Sequence, residues 1–250
     1  MTRRRVVWLT LVVAILMLAL AGCSPQQMQP IDPNNGIWDR FFVYPLKLML
    51  DLSAQVLFGS YGLAILAVTI IIRLLLLPLM MKQMRSMRMM QALQPEMQRI
   101  REKYKNDPQK VQEETMKLFQ KHNVNPLSGC LPSLIQMPIL IAFYYAIMRS
   151  EEVRTHSFLW MNLGAPDPYY LMPVLAAVTT YLQSKVMGTT NNNPPAQLFW
   201  FIMPAMTLFI AITLPSALSL YWVFSNLFTI GQTLVLKRIG YLQPQEGTAK

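Results

Sequence analysis

One charged residue constrains this chain more than any other. Arg73 sits inside an otherwise uncharged run, Tyr61 to Met81, that reads YGLAILAVTIIIRLLLLPLMM. The run is 21 residues long, enough to cross a bilayer core. The arginine falls near its middle, too deep to reach a headgroup easily. A cation at such depth costs roughly 2.5–3.5 kcal/mol even on the lenient insertion scale. The usual relief is a buried carboxylate. None is on offer: no Asp or Glu occurs from Leu52 to Pro95, from Thr115 to Ser150, or from Pro168 to Gln245. Those stretches hold every other candidate span of the mature chain. Arg73 must therefore face water, backbone carbonyls or neutral polar side chains inside the membrane. A hydrated cavity with an unpaired cation implies that something docks there or passes through.

Composition agrees. Hydrophobic residues make up 53% of the chain and charged residues only 14%, against about 25% charged in soluble domains. The net charge of +10 is uneven. Lys82–Lys121 holds ten Lys/Arg against five acids. Such a cluster can meet nucleic acid, but in a membrane protein it marks the cytoplasmic side. No specific DNA binding is expected.

Of the two cysteines, Cys23 follows a short secretion signal: Arg3, Arg4 and Arg5, then the apolar run Val6–Ala21. The join Leu20-Ala21-Gly22-Cys23 resembles the lipobox of bacterial lipoproteins. There the signal is cut before the cysteine and the thiol carries diacylglycerol. The competing reading is an uncleaved signal anchor, for which the run is short. Cys130 reads as a small buried apolar residue.

Along the chain, residues 23–56 read as a polar tether and then an aromatic-rich segment. Lys47, Asp51 and Gln55 recur there at four-residue spacing, which puts them on one helical face. From Leu46 this segment is expected to lie along the membrane surface, with an ordinary packing helix as the alternative. Residues 57–81 form the first span, with Pro78 positioned to kink it. Residues 82–126 form a helical hairpin outside the bilayer. Pro95 interrupts its first half, and Asp107-Pro108 starts its second helix. Glu113 and Lys117 are spaced to support that helix. Four more spans lie within 127–236: Leu127–Met148, Tyr169–Met187, Leu198–Leu214 and Ala217–Leu236. The stretch Asn191–Pro195 is a loop, and the tail 237–250 is polar.

Charge gives the orientation. With a lipidated Cys23 outside, five spans put the hairpin, Lys185 and Lys237-Arg238 inside. The outer segment 150–168 sets Arg154 against Glu151, Glu152 and Asp167. The positive-inside rule agrees.

Chemistry-bearing motifs are few. His122 and His156, the two histidines, lie outside the spans, so Ser128 in the second span has no base in reach. There is no metal cluster and no Gly-rich phosphate loop, so an enzyme is not expected. Met80, Met81, Met84, Met87, Met89, Met90 and Met97 crowd the base of the hairpin, among Lys82, Arg85 and Arg88. Flexible Met suits capture of varied apolar segments. The same pattern also fits a helix resting in the interface, its arginines snorkelling to anionic lipid. Both readings stay open. Span residues Gln136, Thr179, Thr180, Gln183, Asn226, Thr229 and Gln232 are each weak evidence, but together they suit a wet groove around Arg73.

Five segments then match a family: YGLAILAVTIIIRLLLLPLMMKQ (61–83), MQALQPEMQRIREKY (90–104), FQKHNVNPLSGCLPSLIQMPILIAFYYAI (119–147), FLWMNLGAPDP (158–168) and PSALSLYWVFSNLFTIGQ (215–232). The chain resembles YidC-type membrane protein insertases of the YidC/Oxa/Alb family, in the short lipoprotein form of Gram-positive bacteria. The resemblance implies an all-α polytopic membrane protein: five transmembrane helices around a hydrophilic groove open to the cytoplasm and the lipid. It places the groove arginine on Arg73 and suggests Gln183 and Trp222 as groove-lining residues. It implies nascent membrane proteins as clients, with the Sec translocon and the ribosome as further partners. No cofactor is implied beyond the diacylglycerol and N-acyl lipid on Cys23. A small-solute transporter or channel would instead call for inverted repeats, which are not evident. A lipoprotein assembly scaffold would leave Arg73 unexplained.

Overall fold

Pro78 divides the longest apolar run in two. Its ring clashes with the carbonyl four residues back, and it has no N–H to donate. The run accordingly folds as α2 (Tyr61–Leu75) and α3 (Leu77–Ala92), bent by 65° about Leu76. Pro78 sits in the first turn of α3, where a missing N–H costs nothing. The computed structural model describes residues 29–34, 36–122, 124, 131–187 and 194–241, with backbone alone at 131–134 and 194–200. The signal run, Cys23, Ser128, Cys130, the Asn191–Asn193 stretch and the tail beyond Tyr241 lie outside the described residues.

Before α2, a π-helical turn (Asp39–Val43) runs into α1 (Tyr44–Val56). After α3 come α4 (Gln94–Lys103), α5 (Pro108–Lys121), α6 (Leu131–Met148) and a one-turn α7 (Glu151–Arg154). A two-stranded hairpin follows, β1 (Ser157–Phe158) antiparallel to β2 (Met161–Asn162). Then come α8 (Leu171–Met187), α9 (Pro194–Thr213) and α10 (Ser216–Arg238). Among the described residues the regular structure is thus helical apart from one short hairpin. Among the described residues no single helix is long and apolar enough to cross a membrane, while the bent pair α2 and α3 is so when taken together. Helix length alone therefore does not assign five crossings.

The main core gathers Val43, Leu50, Ile65, Val68, Phe143, Ile147, Leu163, Ala176, Leu218 and Leu220 from six helical segments and the hairpin's flank. Alanines recur in it, among them Ala64, Ala146, Ala176 and Ala217. Small side chains let helix backbones approach closely where packing rather than water drives association. The exterior is apolar as well. Leu74 and Leu75 on α2, Val178 on α8 and Phe201 and Phe209 on α9 are exposed. So broad an apolar surface is foreign to soluble monomers and suits lipid.

The segment expected to lie along the membrane surface packs one of its faces into the core. Leu46, Leu50 and Ala54 bury one face of α1 against α2 and α6. Leu48, Leu52 and Val56 leave another face exposed and apolar. Lys47 and Asp51 pair at 2.6 Å, and Asp51 accepts the Tyr61 hydroxyl at 3.2 Å. Asp39 and Arg149 form a buried two-pronged ion pair, at 2.6 and 2.7 Å, that ties the start of this segment to the end of α6.

The β-hairpin caps the ends of three helices. Phe158 lies over Gly62 so closely that a Cβ there would stand 2.1 Å from the ring. The N–H groups of Ser216 and Ala217 at the start of α10 donate to the carbonyls of Ala165 and Leu163, satisfying donors that a helix start leaves orphaned. Asp167 is 2% exposed and accepts from Trp160 Nε1, Tyr169 N and Met172 N, holding the start of α8.

The basic hairpin, α3 through α5, has a small core of its own: Leu93, Leu118, Phe119 and Val124, with Met90, Met97 and Ile100 packed on it. Its break falls at Leu93, just ahead of Pro95. Asp107 caps α5 through Lys110 N at 3.0 Å, and Glu113 pairs with Lys117 at 2.9 Å.

Candidate functional site: the polar pocket at Arg73

Arg73 lies in the last turn of α2, two residues before that helix ends. Its side chain turns inward, between α6 and α10. One Nη donates to the side-chain carbonyl of Gln136 at 3.2 Å and to the hydroxyl of Ser225. Gln136 in turn donates from Nε2 to the Tyr221 hydroxyl at 2.5 Å, and Tyr221 and Ser225 lie one turn apart on α10. Tyr221 is 3% exposed and stacks on Phe143, with centroids 4.4 Å apart. The cation is therefore held by neutral acceptors, as the missing carboxylates required. Among the described residues no fixed counter-charge in this pocket diminishes Coulomb attraction to an incoming anion.

The chain's composition explains why the pocket forms. α10 carries Tyr221, Ser225, Thr229 and Thr233 at four-residue spacing, which makes one polar stripe on an apolar helix. Thr229 and Thr233 satisfy themselves by donating to the carbonyls of Ser225 and Thr229. Ser225 is thus the hydroxyl of that stripe left for Arg73. The spacing was visible in the sequence, yet Tyr221 and Ser225 were absent from the expected polar set.

Of that expected set, the structure brings Gln136 to Arg73. Asn226 instead donates to Thr179 at 3.1 Å and Thr180 at 2.9 Å, pinning α10 to α8. Gln232 reaches Met84 Sδ at 3.9 Å. Gln183 donates along its own helix to Met187 Sδ at 3.8 Å. Trp222 is half-buried at the margin of the main core.

The six hairpin residues also separate. Met84 is 7% exposed and packs on Leu236 of α10. Met87 and Arg88 line a cleft with Met187 and Thr233. Met90 serves the hairpin's own core. Arg85 is partly buried. Met89 is the exposed one among the four methionines, at 38%.

Comparison with known proteins adds a family. The model of the 60 kDa inner membrane protein family matches residues 53–243. Membrane protein insertase MisCA of Bacillus subtilis (strain 168) is 51% identical over 242 residues, covering 94% of this chain and 92% of that protein. Membrane protein insertase YidC 2 of Bacillus anthracis is 50% identical over 236 residues, covering 92% of each. A solved structure of an active YidC insertase with its first transmembrane domain resolved superposes with a TM-score of 0.65 at 31% identity, over 87% of this chain. The chain spans about half of that longer protein, 49%. With the family model covering most of its length, the chain belongs to the 60 kDa inner membrane protein family, the YidC-type insertases.

Proposed function

We propose that this protein moves nascent hydrophobic segments from the cytoplasm into the bilayer, using the pocket at Arg73 as a polar way-station. The observation that carries this reading is a cation in an apolar bundle whose partners among the described residues, Gln136 and Ser225, are both neutral. An acidic or polar stretch ahead of a nascent span is attracted to Arg73 and exchanges with Gln136 and Ser225. The apolar stretch behind it then slides into lipid. Its burial, at about 25 cal/mol per Å² of apolar surface, drives the step, so the chain itself needs no nucleotide.

The membrane arrangement that suits this has five crossings: α2 with the start of α3, then α6, α8, α9 and α10. The β-hairpin and α1 lie outside, the basic hairpin inside, and Cys23 is acylated on the outer side. The broad apolar exterior and the Lys/Arg excess of Lys82–Lys121 support that arrangement. The exposed Met89 is the hairpin methionine placed to meet a client first.

Reconstitution tests the reading. Liposomes containing the purified protein should insert a single-span client with an acidic leading segment, as scored by protease protection. Equal protection in protein-free liposomes would refute it. Mass spectrometry of the protein from its host tests the anchor: an acylated chain starting at Cys23 is expected, and an intact 250-residue mass refutes it.

A further inference from the structure

A second unpaired arginine lies on the far side of the bend. On α3, Gln83, Met84, Met87, Arg88 and Gln91 share one face by their spacing. That face meets the end of α8 and the last turns of α10. Gln91 Nε2 donates to the Met187 carbonyl at 3.2 Å, and Lys237 donates to the Val186 carbonyl. The helix end thus draws two donors to one spot. Arg88 opens into the same cleft, lined also by Met84, Met87, Met187 and Thr233.

The polar groups here are incompletely satisfied. Arg88 Nη2 is buried without a hydrogen-bond partner among the described residues. Gln83 is 4% exposed, and neither its Oε1 nor its Nε2 is bonded. A buried unpaired charged donor is costly, and such groups call for a missing partner. That partner is not a carboxylate of these three helices, because α3, α8 and α10 contain no Asp or Glu. Lys237 stands one turn beyond the cleft-lining Thr233 on α10, so two cations and no acid of these helices border the cleft, and an anion would relieve both.

We infer that this cleft binds the phosphate of an anionic phospholipid, with Arg88 and Lys237 as its cations and Gln91 beside them. Guanidinium matches phosphate oxygens with two parallel donors. The methionine walls offer apolar, adaptable contact for the glycerol and upper acyl chain. Exposed Leu234 and Val235 carry the apolar surface onward along α10. A zwitterionic lipid brings its own ammonium into the cation pair and is disfavoured. The site is separate from the Arg73 pocket and does not depend on insertion activity.

Native mass spectrometry of the full-length protein, released from micelles doped with phosphatidylglycerol or phosphatidylcholine, tests the assignment. The wild type should retain one phosphatidylglycerol preferentially. The double variant Arg88→Gln/Lys237→Gln should hold it roughly tenfold more weakly. Arg88→Lys, which keeps the charge, should keep the preference for phosphatidylglycerol and so shows that the cleft, not the fold, was altered. Excess inorganic phosphate should leave the lipid bound. Equal retention by wild type and double variant overturns the assignment, and so does equal retention of the two lipids. Full displacement by inorganic phosphate overturns the lipid as ligand in favour of a free anion.

Discussion

Arg73 on α2 donates to the side-chain carbonyl of Gln136 on α6 at 3.2 Å, although 63 positions separate them in the chain. The acceptor is neutral, and Gln136 is fixed from behind by its own bond to Tyr221. Arg73 is therefore oriented without being neutralised. A glutamate in place of Gln136 would be nearly isosteric and would supply the missing counter-charge. Gln136→Glu should hold Arg73 in a charge-assisted pair and block clients with acidic leading segments, while purely apolar clients insert normally. Parallel insertion assays of the two client types check this, and equal loss for both would contradict it.

The ion pair between Asp39 and Arg149 stabilises the outer end of the bundle. Both side chains are almost fully buried, at 6% and 10% exposure. Removing one partner strands the other charge, a cost of about 3–5 kcal/mol. Asp39→Leu should thus lower the thermal midpoint markedly in detergent, and Asp39→Leu/Arg149→Met should recover much of the loss. A midpoint unchanged by the single variant would show the pair to be unimportant.

Gly62 offers a test with opposed signs. Alanine is the better helix residue by roughly 1 kcal/mol. Here, however, its Cβ would stand 2.1 Å from Phe158 Cγ, and overpacking costs about 1–3 kcal/mol. Gly62→Ala should therefore destabilise the wild type, yet be neutral or stabilising once Phe158 is also alanine. Thermal unfolding of the four proteins in that cycle decides it; additive effects would contradict the contact.

The hairpin methionines should differ in reach. A photocrosslinker at Met89 should capture a stalled nascent chain, whereas one at Met84, buried against Leu236, should capture far less. Comparable yields at both positions would mean that the hairpin opens fully.

Local and compositional features were readable from the chain. Asp107-Pro108 starts a helix and Pro95 follows a break, because capping and proline geometry act within a few residues. Arg73 had to find neutral partners because absent acids can be counted. Ser225 and Tyr221 were harder. A lone hydroxyl in a span usually bonds its own helix, as Thr229 does, and the four-residue repeat places Ser225 and Tyr221 on the same stripe as Thr229 without telling them apart. The pairing of Asp39 with Arg149 spans 110 positions and rests on tertiary packing that no local spacing encodes. Gln183, suggested as groove-lining by resemblance, bonds along its own helix.

The central claim is that the positive charge at position 73 receives acidic client segments. Its most direct measurement is insertion of one single-span client, with and without its acidic leading residues, by Arg73→Lys and Arg73→Ala proteins in liposomes. Arg73→Lys should keep most of the activity. Arg73→Ala should lose most of it for the acidic client and much less for the neutralised one. Wild-type insertion of the acidic client by Arg73→Ala would contradict the claim.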